Sequence, residues 1–259
     1  MMVVVQNMSL QSETNYRLRD ISVSFESGKH HIILGPNGAG KSSLLQVVAG
    51  SIPPSSGNVY LNKQDISSLS VKKIATQRAI LSQQIHIPFP MKVIDIIRMG
   101  RYPHKNNEVI DHENIINQII ESLQIQSLQN RWYQSLSGGE AQKVQLARVL
   151  VQLHASELPH QKLLLLDEPV SHLDPQYQQE IMRQAQQLVE RGVTVISVLH
   201  DINLALQFAD QLYFMKNNRL LYTQSLKEQL SPDLIEKVFE VQVEIGIHPI
   251  TKKPFIIYL

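Results

Sequence analysis

Residues 35–42 read Gly-Pro-Asn-Gly-Ala-Gly-Lys-Ser, the spacing G-x-x-x-x-G-K-S, and no other segment constrains the fold as much. The octapeptide follows His30–Leu34, an apolar run that reads as a buried strand, and it precedes an apolar helix. Glycines let the backbone curl until successive amides face one point, and the helix that follows adds the positive end of its dipole. Strand, loop and helix in that order make the motif a phosphate-binding loop. The candidate cradle is Gly35, Pro36, Asn37, Gly38, Ala39, Gly40, Lys41, Ser42 and Ser43, in which Lys41 reaches the β and γ phosphates of a nucleotide and Ser42 ligates Mg²⁺.

A phosphate loop holds a nucleotide without hydrolysing it; a carboxylate for the metal and a base for water are also needed. Leu163–Leu166 reads as a second buried strand, and it runs directly into Asp167 and Glu168. Alone, such a strand exit is as often plain structure as chemistry. Beside the loop, it makes Asp167 the candidate Mg²⁺ carboxylate, acting through water, and Glu168 the candidate general base.

The rest of the chain is consistent with an α/β protein built on a largely parallel sheet. A third buried strand, residues 193–198, leads on to His200, and Gly192 closes a glutamine-rich helix running from about Asp174 to Arg191. Over roughly residues 85–150 the strand signal fades, and Ile115, Ile116, Ile119, Ile120 and Leu123 form a stripe at helical spacing. Ser137 and Glu140 have the spacing of a capping box, so a helix begins at Ser137. Asn217-Asn218 suits a tight hairpin turn, and Ser231-Pro232 an N-cap with proline at the first helical position. No repeat, coiled coil or low-complexity linker is present.

Composition excludes several classes. Of the 259 residues 43% are apolar and 18% charged, with 27 glutamines supplying uncharged polar surface, so the chain is globular. A net charge of +1 gives no field to hold nucleic acid. The absence of cysteine removes disulfides, thiolate metal sites and a cysteine nucleophile. The apolar runs are far below the ~18 residues that cross a bilayer and Met1–Val5 lacks the form of a secretory signal, so a cytoplasmic chain is expected.

Leu136-Ser137-Gly138-Gly139-Glu140, lying between the phosphate loop and the Asp167-Glu168 strand, resembles the signature of ABC transporter ATP-binding subunits, and the resemblance covers nearly the whole chain. It implies a P-loop NTPase core with a mostly parallel sheet, an antiparallel β portion and a helical signature subdomain. It implies one ATP-binding domain over residues 1–259, with the helical part at about 85–150 and a short C-terminal extension at about 225–259. ATP and Mg²⁺ are the implied cofactors. Two subunits would pack head to tail, so that Ser137, Gly138, Gly139 and Glu140 of one meet the nucleotide held by Lys41 of the other. Gln83 matches the glutamine that senses metal and water beside the permease groove, preferred over Gln84 on spacing. Asp174 matches the loop that communicates across the dimer, and His200 the histidine that orients the base.

Two positions depart from the family pattern. Ser12 stands where the adenine-stacking aromatic is common, leaving Tyr16 as the nearby ring, and His172 stands where a small residue is usual. Finer resemblance points to importers of metal chelates. Met99-Gly-Arg-Tyr-Pro-His104 resembles the Gly-Arg-x-Pro-His segment of the haem, siderophore and cobalamin group, and Ala147–Leu153, Pro159 and Val238–Leu259 are most similar to haemin importer ATPases. The implied partners are a second ATPase subunit, two transmembrane permease subunits and, indirectly, a periplasmic haem-binding protein. The implied place is the cytoplasmic face of the inner membrane. Siderophore or cobalamin import is the alternative. DNA- or ribosome-directed ABC ATPases usually carry paired cassettes, coiled coils or a basic surface, none of which appears. His30, His31 and His104 are weak candidates for haem ligands, because no segment offers an obvious apolar pocket.

Overall fold

The structure is a computed structural model that describes residues 1–13, 15–82, 87–104, 111–154, 158–171 and 173–259. The N-terminal third comprises β1 (Val3–Ser12), β2 (Asn15–Phe25), β3 (His30–Leu34), α1 (Lys41–Val48), β4 (Ser56–Leu61), β5 (Gln64–Asp65), α2 (Val71–Gln77) and β6 (Arg78–Leu81). Three helices follow, α3 (Val93–Met99), α4 (His112–Ser122) and α5 (Gly138–Leu153). Then come β7 (Leu163–Asp167), α6 (Pro175–Glu190), β8 (Thr194–Val198), α7 (Ile202–Phe208), β9 (Gln211–Lys216) and β10 (Arg219–Ser225). The described chain ends in α8 (Pro232–Phe239), β11 (Val243–Ile247) and β12 (Pro254–Tyr258).

Among the described residues, six strands form one sheet in the order β10-β9-β3-β8-β7-β6, parallel except for β10. The reason lies in the apolar runs. A strand buried on both faces must send alternate side chains into two cores. Ile32 and Leu34 enter one core and Ile33 the other; Leu164 and Leu166 part in the same way from Leu163 and Leu165, and Leu212 and Phe214 from Tyr213 and Met215. The first core is closed by α3 to α8, the second by α1 and an antiparallel sheet ordered β2-β1-β4-β5. Each such leucine or isoleucine contributes about 1.5–3 kcal/mol on burial, so both faces are needed to offset the cost of ordering the chain.

Local chemistry sets the element ends. Ser137 caps α5 in a reciprocal box with Glu140, and Asp174 caps α6 by accepting from Tyr177 N at 3.1 Å. Gly192 at φ 91° stops α6, and Asn217 and Asn218, at φ 50° and 61°, make the primed turn between β9 and β10. Ser231 occupies the N-cap of α8, but its hydroxyl makes no capping bond. No described helix is long and apolar enough to cross a membrane.

The ends of α2 and α5 meet at the edge of the sheet where β6, β7 and β8 begin. Their last carbonyls have no partners within the helix, and side chains supply them. Arg101 Nη1 donates to Val151 O at 2.8 Å, His104 Nε2 bonds Gln152 O at 2.9 Å, and Gln152 Nε2 donates to Ala75 O at 2.9 Å. Gly100 permits this approach, since a Cβ there would lie 2.2 Å from Arg148 O. The Met99–His104 segment is therefore a cap for α5. His104 is buried, which holds its imidazole down at about 4, and its bond to Gln152 makes it part of the fold.

Candidate functional site

Three neighbouring strands finish in one row. Val198 of β8 pairs with Ile33 of β3 on one side and with Asp167 of β7 on the other. Their continuations, the phosphate loop, His200 and Glu168, therefore emerge together at the carboxyl edge, where open α/β sheets bind ligands.

The loop winds tightly onto its surroundings. Gly40 is the N-cap of α1 at φ 93°, and a Cβ would sit 2.6 Å from Arg17 O, so only glycine fits. Lys41 is buried beneath the loop, where Nζ donates to Gly35 O at 2.9 Å and Pro36 O at 3.0 Å. Burial lowers its pKa from the usual lysine value, while Glu168 and Asp167 nearby favour its charge. Ser42 Oγ donates to Asp167 Oδ1 at 2.8 Å, bringing together residues 125 apart in sequence. Burial pushes the Asp167 carboxyl up, and the Ser42 bond offsets part of that rise.

Glu168 takes φ 49°, left-handed backbone that is costly for a side chain with a Cβ, and its amide donates to Val198 O at 3.2 Å. That turn swings its carboxylate away from the strand. Oε1 lies 2.5 Å from His200 Nε2, and Oε2 accepts from Ser171 Oγ at 3.3 Å. Strain of this kind collects where chemistry needs a side chain in one place.

A cavity of about 440 Å³ opens over the loop, lined by Asn37, Gly38, Ala39, Gly40, Lys41, Ser42, Ser43 and Glu168. Tyr16, Arg17 and Asn218 complete its wall. Sequence reasoning missed the last two. By spacing alone Asn218 is a turn residue, yet the β3–β9 pairing carries that turn over the loop, and its Nδ2 donates to Tyr16 O at 2.8 Å. Arg19 stands over the Tyr16 ring at 5.3 Å. No local signal marks the Asn218–Tyr16 contact, because it depends on strand order.

The remaining candidates are placed elsewhere. Ser137, Gly138, Gly139 and Glu140 form the start of α5 and do not line this cavity. Their link to it is indirect: Gln142 Nε2 donates at 2.9 Å to the carbonyl of Pro169, which follows Glu168. Asp174 caps α6 and is likewise absent from the cavity wall. Gln83, Gln84 and His172 lie outside the described residues. His30 and His31 face inward, with Nε2 of His30 2.7 Å from Ser197 Oγ and Nε2 of His31 2.8 Å from Glu26 O. Burial takes His30 down to about 3, so it is a neutral core residue.

Ser42 and Asp167 offer two hard oxygens side by side, a donor pair suited to Mg²⁺, which takes few protein ligands and completes its shell with phosphate and water. Among the described residues no group of three His, Cys, Asp or Glu side chains forms a closed metal cage. The site can therefore bind a phosphate chain at the loop and present a carboxylate above it.

The chain resembles known proteins in sequence and in fold. The hemin import ATP-binding protein HmuV of Rhizobium meliloti (strain 1021) is 37% identical over 257 residues, covering 99% of this chain and 98% of that protein. The HmuV of Escherichia coli O157:H7 is 36% identical, covering 99% of each. In fold, the chain matches an inward-facing structure described as a metal-chelate type ABC transporter, with TM-score 0.82 at 22% identity over 100% of this chain and 97% of that one. A dimeric ATP-binding cassette in a post-hydrolysis state with ADP and Pi matches with TM-score 0.76 at 24% identity, over 88% of this chain and 100% of that one. The ABC transporter family model matches residues 18–171, and on that match and the near full-length relatives the chain belongs to the ABC transporter family as an ATP-binding subunit.

Proposed function

We propose that the chain is the ATP-hydrolysing subunit of an importer for haemin, working at the cytoplasmic face of the inner membrane as a homodimer beneath two permease subunits. The observation that carries the hydrolytic part is the Glu168–His200 contact of 2.5 Å beside the Ser42–Asp167 pair. The haemin assignment draws support from the near full-length likeness to the HmuV proteins.

In this reading Lys41 exchanges its bonds to Gly35 and Pro36 for the β and γ phosphates of ATP, and the amides of the loop surround them. Ser42 and Asp167 would hold Mg²⁺, and the family resemblance adds Gln83 to them; the ion would supply positive charge to the phosphate oxygens. Glu168 Oε1 or Oε2 accepts the proton of the attacking water, while His200 keeps the carboxylate aimed. Tyr16 stacks on adenine in place of the missing aromatic at Ser12. Ser137, at the N-terminus of α5, closes on the γ phosphate of the partner subunit's nucleotide, with Gly138, Gly139 and Glu140 shaping that turn and Asp174 communicating across the dimer. Residues 1–259 act as one ATP-binding domain, with the helical part at about 85–150 and the extension at about 225–259.

Growth of a deletion strain on haemin as sole iron source tests the whole reading. Wild type should restore growth and Glu168→Gln should not, since loss of a general base costs about 10²–10⁴ in rate. Undiminished growth of the deletion strain would remove the haemin assignment, and stimulation of ATP turnover by a loaded siderophore- or cobalamin-binding protein would then name the cargo. Restoration by Glu168→Gln would remove Glu168 as the base.

A further inference from the structure

The described residues enclose a second and larger cavity, of about 980 Å³, at the edge of the parallel sheet opposite the phosphate loop. Gln161 and Lys162 before β7, Val193 before β8 and the end of α2 form its floor. α4, α5 and α6 form its walls, the latter two at the ends opposite Ser137 and Asp174.

Its chemistry is of two kinds. Ile115, Ile119, Leu150, Leu153 and Leu188 give an aliphatic surface. Lys73, Lys162, His154 and Arg191 give positive or protonatable groups, and among the described residues no carboxylate lines the space. Among the described residues none of these cations stands in an ion pair. Lys162 is buried, with Nζ donating to Thr76 O, and burial beside Arg101 and Lys73 brings it down to about 8. Nη2 of the buried Arg101 and Nε2 of His112, which bond each other's side chains through other atoms at 2.9 Å, have no partners. Of the lining cations Lys162 is buried while Lys73, His154 and Arg191 are exposed, and the helix-end carbonyls that accept from Lys162 and Arg101 carry only partial charge, so among the described residues no carboxylate balances the positive charge around the cavity.

We infer that this cavity is a binding site for an organic anion that carries at least one carboxylate on an apolar body. Its volume lies in the range of small-molecule pockets. The aliphatic walls would take the body, and Lys162 and Arg191 the carboxylate in charge-assisted hydrogen bonds. Fatty acids and tetrapyrroles share this chemistry.

The test is a fluorescence titration of the full chain with 8-anilinonaphthalene-1-sulfonate, an apolar anion, with the phosphate loop filled by a non-hydrolysable ATP analogue. Wild type should bind one molecule per chain. Arg191→Gln should weaken binding about tenfold, the size of one lost charge-assisted hydrogen bond. Gln187→Glu, which places a carboxylate on the exposed face of α6 lining the cavity, should weaken it at least as much without disturbing the core. Oleate and protoporphyrin IX are the competing arms, and the one that displaces the probe at the lower concentration names the source. Absence of saturable binding, wild-type affinity in both variants, or displacement by neither competitor would each overturn the site. The outcome is independent of whether haemin supports growth.

Discussion

The phosphate loop and the signature turn are both helix N-termini, yet they are built in different ways. Lys41 and Ser42 are placed by long-range structure: a buried strand on each side, a lysine folded under its own loop, and a serine bonded to a carboxylate 125 residues away. Ser137 is placed by its neighbours, through the 3.3 Å bond from Glu140 N to Ser137 Oγ and the 3.0 Å Arg131–Glu140 ion pair, and it is exposed. A Cβ added at Gly138 would meet nothing within 4 Å, so the turn faces open space. The first site draws its loop, lysine, serine and carboxylate from one chain. The second is a complete helix start with an open face, which suits the partner contact proposed for it.

Substitution at each site separates the two designs. Lys41→Ala should lower the affinity of the isolated chain for ATP by at least about 100-fold, because two charge-assisted bonds to phosphate are lost at ~1.5–3 kcal/mol each; calorimetric titration measures it. Ser137→Ala should leave that affinity unchanged and reduce turnover in the assembled transporter. It should also lower stability by about 1 kcal/mol through loss of the cap, and Ser137→Asp should restore the stability but not the turnover. If Ser137→Ala weakened ATP binding to the isolated chain as much as Lys41→Ala, the two sites would be one, and the comparison would fail.

The same contrast explains what could be read before the structure. Ser137, Gly192 and the Asn217-Asn218 turn obey rules that span a few residues, and each lies where local chemistry puts it. The parallel strands are equally plain, because burial on both faces leaves uninterrupted apolar runs. The antiparallel sheet is not. β1 shifts register against β2 between Val5 and Met8 and again before Leu10, and Asn7 at φ 46° breaks the alternation that marks a strand. Asn218 is hidden for another reason: it reaches the nucleotide cavity because β9 pairs with β3, a fact of topology rather than spacing, while Arg17 reaches it from β2. Arg101 and His104 carry the resemblance to chelate importers, and in the fold they bond carbonyls at the end of α5, a role that their spacing does not disclose.

The smallest expected effect concerns what the finished site costs the fold. Burial raises the Asp167 carboxyl above its ordinary value of 3.8, so the native state holds that proton more tightly than the unfolded chain. Stability from this group is present below the ordinary value and is lost as pH rises through the raised one. At neutral pH the carboxylate is ionised in both states, and the folded protein bears the desolvation. Asp167→Asn keeps an oxygen for Ser42 Oγ to donate to and removes the charge. It should therefore raise the melting temperature of the nucleotide-free chain at neutral pH by a few degrees, with ~2–4 °C expected per kcal/mol in a chain of this size. The gain should shrink as pH falls below the ordinary aspartate value, where wild type is neutral too. ATP turnover should be lost at every pH, since the metal then lacks its carboxylate. A calorimetric scan of both proteins across pH decides the matter: a variant that melts below wild type at neutral pH would mean that Asp167 stabilises the fold, and that the phosphate site carries no such tension between stability and chemistry.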